Sequence, residues 1–388
     1  MRILLINESA RRHNGGMNRV VVETCHWLHK AGATVRLAYT DQGPSEVDCP
    51  VTCLRDSANP DAYLKAAKEF EPDVIQLHHL TNSGILAALS ERWPVAVFQH
   101  DQTWFCCGGD RANSNFENCH RPHGLACLAW NYAQGCGGRN PVGNWRRWQR
   151  TEDLMRLRSM SPVRIQVASR FMSRGLEENG FDLARVDVVP LFAEPPPAAF
   201  PIEPGLILLP SRLVRPKGVG VALDALAMLG THQWRLAIAG DGLNREEFRS
   251  QARRLGMADR IDFLGEVAPN DLAPWYARAQ IVLFPVVRRE PFGLIGVEAL
   301  AYGKPVVAFS GGAVEEWLWP GETGLRVDER TPEAFAAAVR ELLISPERCA
   351  AMGQAAKARY AYFHPAAYVE RLMAAFERTV RWHRDTAR

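Results

Sequence analysis

Five prolines fall within twelve residues at 193–204, A-E-P-P-P-A-A-F-P-I-E-P. Proline fixes its φ and lacks an amide hydrogen, so this stretch is neither helix nor central strand. It reads as a semi-rigid, extended linker. The linker divides 388 residues into two parts, each long enough to bury its own core. The predicted division is a first domain over 1–192, the linker over 193–204, a second domain over 205–364, and a final helix over 365–388.

Both parts alternate short apolar runs with helically spaced ones. Residues 2–6 and 34–39 read as buried strands, and Met17, Val20, Val21, Thr24 and Leu28 keep helical spacing between them. Strand, loop, helix and strand make a βαβ unit of a parallel sheet. Residues 59–70 and 80–91 read as helices, and 73–77, 95–98, 164–168 and 186–190 as strands. The pattern resumes after the linker with strands at 206–210, 236–239, 261–264 and 281–285. After Pro365, the residues Tyr368, Leu372, Ala375, Phe376 and Val380 form an amphipathic helical stripe. The fold class is therefore α/β, with two doubly wound, Rossmann-like domains. In open parallel sheets, ligands bind beyond the carboxyl ends of the strands.

Composition excludes several classes. Hydrophobic residues make up 47% and charged residues 23%, a globular composition. No apolar run is long enough to span a bilayer. Glu8 interrupts the N-terminal M-R-I-L-L-I-N, which reads as a first strand rather than a signal peptide. That predicts a cytoplasmic protein. A net charge of +3 argues against a nucleic-acid partner.

The stretch from Glu290 to Glu298, E-P-F-G-L-I-G-V-E, carries the densest chemistry. It leaves a buried strand and enters a helix that Gly303 and Pro305 end. Pro291 is expected in the first helical turn, with the amides of Phe292, Gly293 and Leu294 free to hold an anion. Glu298 follows Leu294 by four residues, on the same face about 6 Å along the axis. A phosphate at the helix tip would leave a ribose beside Glu298 and the group beyond the phosphate beside Glu290. In the loop S-R-L-V-R-P-K-G after the first strand of the second domain, Arg212 and Lys217 supply fixed positive charge. No D-x-D is present to hold a divalent ion at a diphosphate. No catalytic metal is expected, because cations and helix-tip amides can take that role.

The string E-P-F-G-L-I-G-V-E-A-L-A-Y-G-K-P-V-V-A, with G-G-A-V-E at 311–315 and G-E-T-G-L at 321–325, resembles the E-x(7)-E signature of the retaining glycosyltransferases of family 4. The resemblance implies the GT-B fold: two Rossmann-like domains facing a central cleft, and a C-terminal helix crossing back to the first domain. It implies a retaining hexosyltransferase that uses a UDP- or GDP-linked sugar and a glycan or lipid-linked acceptor, in polysaccharide or glycolipid assembly. On that resemblance Glu290 orients the donor sugar, Glu298 holds the ribose, and Arg212 and Lys217 hold the diphosphate. Gly15 and Gly16 would face the donor phosphates, and His100, in Q-H-D at the end of the 95–98 strand, would hold sugar or acceptor. A nucleotide-sugar epimerase on the same fold, or a non-catalytic nucleotide-sugar-binding protein, are the competing readings.

Two segments stand outside that signature. Residues 102–140 read as irregular and hold five cysteines, with His120 and His123. Cys107, Cys119, Cys127 and Cys136 form one candidate set for a structural zinc. Reduced, buried thiols are the other reading, and the spacing leaves both open. Residues 139–164 hold seven arginines and two acids, with Trp145 and Trp148 among them. This stretch suits either a solvated basic face or a peripheral contact with an anionic membrane at its inner face.

Overall fold

A computed structural model of the chain describes residues 1–11, 16–41, 43, 45–54, 59–78, 83–115, 117–136, 140–160, 162–198, 200–230 and 232–386. The chain forms two compact units, Met1–Leu191 with Pro365–Arg388, and Phe192–His364.

The first unit holds seven strands: β1 (Arg2–Asn7), β2 (Thr34–Tyr39), β3 (Val51–Cys53), β4 (Val74–His78), β5 (Val95–Gln99), β6 (Val163–Val167) and β7 (Val186–Val188). Their order is β3-β2-β1-β4-β5-β6-β7, and every neighbouring pair is parallel. The order reverses direction between β1 and β4, a switch point where open sheets place ligands. β1 and β4 to β6 are almost wholly buried; β1 and β5 read as near-continuous apolar runs, whereas β4 also buries Gln76 and His78, and β6, V-R-I-Q-V, buries Arg164 and Gln166. β3 is a short, exposed edge strand with no such run, and sequence pattern does not reveal it.

Helices cover the sheet. The Pro60–Phe70 helix starts where the Asn59 side chain accepts from Asp61 N, with proline at the position that needs no donor. The last helix, Pro365–Thr386, packs against β4, β5, β6 and the Gly16–Lys30 helix. Its fully buried Tyr368, Leu372, Ala375 and Phe376 face the sheet. Tyr368 Oη lies 3.2 Å from Thr24 Oγ1, and Arg378 donates to Asp187, which also takes Arg164.

The second unit holds six parallel strands: β8 (Leu206–Pro210), β9 (Arg235–Ala239), β10 (Ile261–Gly265), β11 (Ile281–Phe284), β12 (Val306–Phe309) and β13 (Gly324–Val327). Their order is β10-β9-β8-β11-β12-β13, with the switch point between β8 and β11. The proline-rich segment is part of this unit. Ala193 O accepts from Tyr360 Oη at 2.8 Å, and Glu203 N donates to Arg278 O at 2.8 Å.

Candidate functional site

The expected residues of the second unit gather at its switch point, where β8 and β11 end. β8 gives way to the loop that carries Arg212 and Lys217, and β11 to the turn that carries Glu290. Lys217 Nζ donates to both carboxylate oxygens of Glu290, at 2.8 and 3.0 Å. Both side chains are mostly buried, at 12% and 19% exposure, so this pair is screened less than a surface one. Arg212 is exposed, and among the described residues no ion pair engages it. Glu298 Oε2 accepts from Tyr276 Oη at 2.7 Å, and Tyr276 stacks on Tyr302 at 5.1 Å.

The helix after Glu290 spans Leu294–Ala301, with Gly303 in the left-handed region just past its end. Its start corrects the expected one. Pro291 and Phe292 precede the helix, and Gly293 caps it at φ 94°, so the first amides along the axis are those of Leu294 and Ile295. Phe292 is buried, and its carbonyl accepts from Trp317 Nε1 at 2.7 Å. Trp317 is itself fully buried, with its ring edge-on to Phe284. A side chain at Gly293 would meet Phe284 and Trp317 at 3.1–3.2 Å as well as strain the backbone.

The G-G-A-V-E segment braces the same turn. Gly312 has φ 66°, and a Cβ there would lie 2.4 Å from Glu290 O. Ala313 N donates to Glu290 O at 3.0 Å. Arg330 donates to Val287 O at 2.8 Å and Ser310 O at 3.0 Å, tying both flanks. Trp317 and Arg330 carry no motif of their own. Their role arises from burial against the turn.

In the first unit, His100 follows β5 and meets a buried polar chain. His100 Nε2 lies 2.9 Å from Nδ1 of His78, and His78 Nε2 lies 3.1 Å from Gln76 Oε1. Gln76 Nε2 donates to Gln166 Oε1 at 2.5 Å. With its amide nitrogen so engaged, Gln76 offers His78 only its oxygen, and His78 must carry its proton on Nε2. Its bare Nδ1 then accepts from His100 Nε2. Burial first, and the neighbouring His100 second, push the His78 pKa well below the usual histidine value. His78 thus stays neutral at pH 7. The Q-L-H run of β4 hints at this chain only through polar residues in an otherwise apolar strand.

Gly16 is exposed at the first position of the Gly16–Lys30 helix. Asn18 in that first turn accepts from Asn7 Nδ2 at 2.8 Å, which ties the helix start to the end of β1. Gly15 lies outside the described residues.

The cysteine segment is less irregular than its composition suggests. Residues Ala126–Ala133 form a helix, and Pro141–Met155 a second, capped where Gly143 N donates to Asn140 Oδ1. Of the four expected cysteines, the structure brings Cys107 and Cys127 together and adds His123. Cys119 and Cys136 do not join that group among the described residues. Burial raises the thiol pKa of Cys106, and Cys119 adds to the rise. On the second helix, Trp145 is exposed and stacks on Trp148 at 5.3 Å.

Known proteins resemble this chain in sequence and in fold. The profile described as Glycosyl transferases group 1 matches residues 193–359, and that described as Glycosyltransferase Family 4 matches residues 14–195. The two together run through both units. The chain belongs to the family 4 glycosyltransferases. Its fold is GT-B: sucrose-phosphate synthase from Thermosynechococcus elongatus superposes with a TM-score of 0.75 over 97% of this chain and 98% of its own, at 18% identity. Anabaena HepE in complex with UDP-glucose superposes with a TM-score of 0.67 over 96% and 98%, at 19% identity. A D-inositol 3-phosphate glycosyltransferase of Segniliparus rotundus is 33% identical over 218 residues, 52% of this chain and 48% of that protein. A GDP-mannose-dependent alpha-(1-6)-phosphatidylinositol monomannoside mannosyltransferase of Mycobacterium tuberculosis is 36% identical over 155 residues, 38% of this chain and 40% of that protein. The matched stretch thus spans less than half the length of these two relatives. No helix among the described residues is long and apolar enough to cross a membrane.

Proposed function

We propose that this chain is a retaining, metal-independent hexosyltransferase that moves a sugar from a UDP- or GDP-linked donor to a hydroxyl of a glycan or lipid-linked acceptor. The observation that carries the proposal is the Lys217–Glu290 pair at the switch point of the second unit, beside an exposed Arg212 and a ribose-type carboxylate at Glu298. A donor diphosphate takes Lys217 and Arg212 as counter-charges, along with the amides that open the Leu294–Ala301 helix. Glu298 accepts from the ribose hydroxyls, and Glu290 from hydroxyls of the donor sugar. The bond between the anomeric carbon and the diphosphate oxygen breaks, and its electron pair leaves with the nucleoside diphosphate. The acceptor oxygen bonds to that carbon on the same face, and its proton passes to a donor phosphate oxygen. For His100 the proposal is a contact with a hydroxyl of the sugar or of the acceptor.

A mannosyltransferase named for GDP-mannose and a similar fold with UDP-glucose bracket the donor class. Polysaccharide or glycolipid assembly is the corresponding process. A peripheral contact with the inner face of a membrane through 139–164 fits the exposed Val142 and Trp145 on a helix that also carries Arg146, Arg147 and Arg150. A pure binding protein has no use for Glu290 at the reacting sugar.

The test is incubation with a panel of nucleotide sugars, with and without glycan and lipid-linked acceptors. The expected result is acceptor-dependent release of nucleoside diphosphate, survival of transfer in EDTA, and a product with the donor's anomeric configuration. An inverted product, or loss of transfer that magnesium or manganese restores, would overturn the corresponding part. Turnover without acceptor to an epimeric sugar would favour the epimerase.

A further inference from the structure

Three ligand-type side chains of the first unit, none of them assigned above to sugar transfer, converge. The Sγ atoms of Cys107 and Cys127 and an imidazole nitrogen of His123 all lie within 4.8 Å of one another. Among the described residues, no other group of three or more histidine, cysteine or acidic side chains is so placed. Cys107 is 4% exposed and the His123 side chain 1%. Both ring nitrogens of His123 are buried without a hydrogen-bond partner. Leaving a buried polar group unbonded costs about 1–3 kcal/mol, so an imidazole with two such nitrogens calls for a ligand.

The surroundings are those of a metal site. His123 and Cys127 are four residues apart, just before and within the first turn of the Ala126–Ala133 helix. Asn131, one turn further on and buried, donates Nδ2 to Cys107 Sγ at 3.3 Å, as outer partners of metal thiolates do. Glu152, on the Pro141–Met155 helix, places Oε1 3.1 Å from His123 Nε2, but its carboxylate stands outside the three atoms that lie within 4.8 Å of one another, so it must swing toward the sulfurs to share an ion. That contact is too far off-axis to count as a hydrogen bond, yet it matches the separation of two ligands on a tetrahedral ion with bonds of about 2.0–2.1 Å. Zinc–sulfur bonds of about 2.3 Å would set the two sulfurs roughly 3.8 Å apart, a contraction of about an ångström at most.

We propose that Cys107, His123 and Cys127 bind one zinc-class divalent cation, with Glu152 supplying the fourth ligand from the neighbouring helix. The ion would fasten three segments: the loop after β5, the Ala126–Ala133 helix and the Pro141–Met155 helix. Its role is to order the segment that follows His100 and to fix the helix that presents Trp145. Two sulfurs, one nitrogen and one oxygen form a soft, closed set suited to zinc rather than magnesium or calcium. The proposal does not rest on the sugar-transfer reading, and its failure leaves that reading intact.

The experiment is elemental analysis of the full chain, purified without a histidine tag under reducing conditions and dialysed against metal-free buffer. About one zinc per chain is expected. Cys107→Ser, His123→Ala and Cys127→Ser should each lower that at least ~10-fold, and Cys119→Ser and Cys136→Ser should leave it unchanged. Because a ligand variant can fail to fold, the unmodified chain is also loaded with cobalt(II). A thiolate-to-cobalt band and the visible absorption of a tetrahedral ion with two thiolates are expected. Three results would overturn the proposal: a folded, reduced chain that takes up neither zinc nor cobalt; a Cys107–Cys127 disulfide recovered from reduced preparations; or equal loss of zinc in the Cys119 or Cys136 variants.

Discussion

Glu290 and Lys217 hold each other before any donor arrives, and this decides what a substitution there should do. Two mostly buried opposite charges at 2.8 Å stabilise one another, so a diphosphate must compete with Glu290 for the lysine. Glu290→Gln removes that competition and also removes the acceptor for the donor sugar's hydroxyls. The expected outcome is turnover lowered about 10²–10³-fold, while nucleoside diphosphate affinity stays equal or rises, read by steady-state kinetics beside calorimetry. Wild-type turnover in this variant would remove Glu290 from the reacting sugar. Glu290 and Glu298 were singled out in sequence because a motif fixes their spacing along one strand-to-helix turn, and Arg212 and Lys217 because they stand in the basic loop after β8. His78 was not, since its role comes from burial beside His100, 22 residues on, and His123 stood only as one histidine of the cysteine segment, since it meets Cys107 and Glu152 from 16 and 29 residues away. Spacing suggested four cysteines, but spacing cannot say which thiols the loop folds face to face.

At the scale of elements, most strands were legible as short apolar-rich segments, β3 excepted, and several helix ends because glycine and proline mark them, though not the start of the Leu294–Ala301 helix. The Ala126–Ala133 helix was not, as its short apolar turn is hidden among cysteines and glycines. Its neighbour in kind is Lys304, whose role no run of sequence displays. Lys304 lies between the Leu294–Ala301 helix and β12, 4% exposed, and donates Nζ to Ala277 O at 2.6 Å in the last turn of the Pro269–Arg278 helix. Burial first, and Lys357 second, lower its pKa from 10.5 to about 8. The sign of the linkage follows. Between about pH 8 and 10.5 the unfolded chain keeps this proton and the folded chain has shed it. The unfolded state binds more protons, so this group makes stability rise with pH, by at most about 1.4 kcal/mol per unit. Lys304→Met should abolish that contribution. Denaturant midpoints at pH 7.5 and 9.5 should therefore change more favourably for the wild-type chain than for the variant. Equal changes would mean that Lys304 keeps its ordinary affinity for protons.

For the molecule as a whole, the informative fact is that each unit closes its own core. The first does so with a helix from the far end of the chain, and the second with the proline-rich segment that opens it. Every residue proposed for the nucleotide and diphosphate with described coordinates, apart from Gly16, lies in the second unit. A nucleotide that binds the folded second unit should stabilise that unit by RT ln(1 + [L]/Kd), about 2.7 kcal/mol at a hundredfold excess over Kd. Truncating Phe376, fully buried in the first unit, should instead destabilise the first unit by about 3–5 kcal/mol. The two effects should therefore separate. UDP or GDP should raise the unfolding temperature of the wild-type chain, and the same rise should persist in Phe376→Ala from its lower starting point. It should vanish in Glu298→Ala and in Lys217→Ala; the second unit of Lys217→Ala, which leaves Glu290 without its counter-charge, also starts lower, and the first unit is unchanged in both. Differential scanning calorimetry, with tryptophan fluorescence as a second probe, reads both. A nucleotide-dependent rise that survives Glu298→Ala and Lys217→Ala but is lost in Phe376→Ala would place the nucleotide on the first unit, and the assignment of the donor to the β8–β11 switch point would be withdrawn.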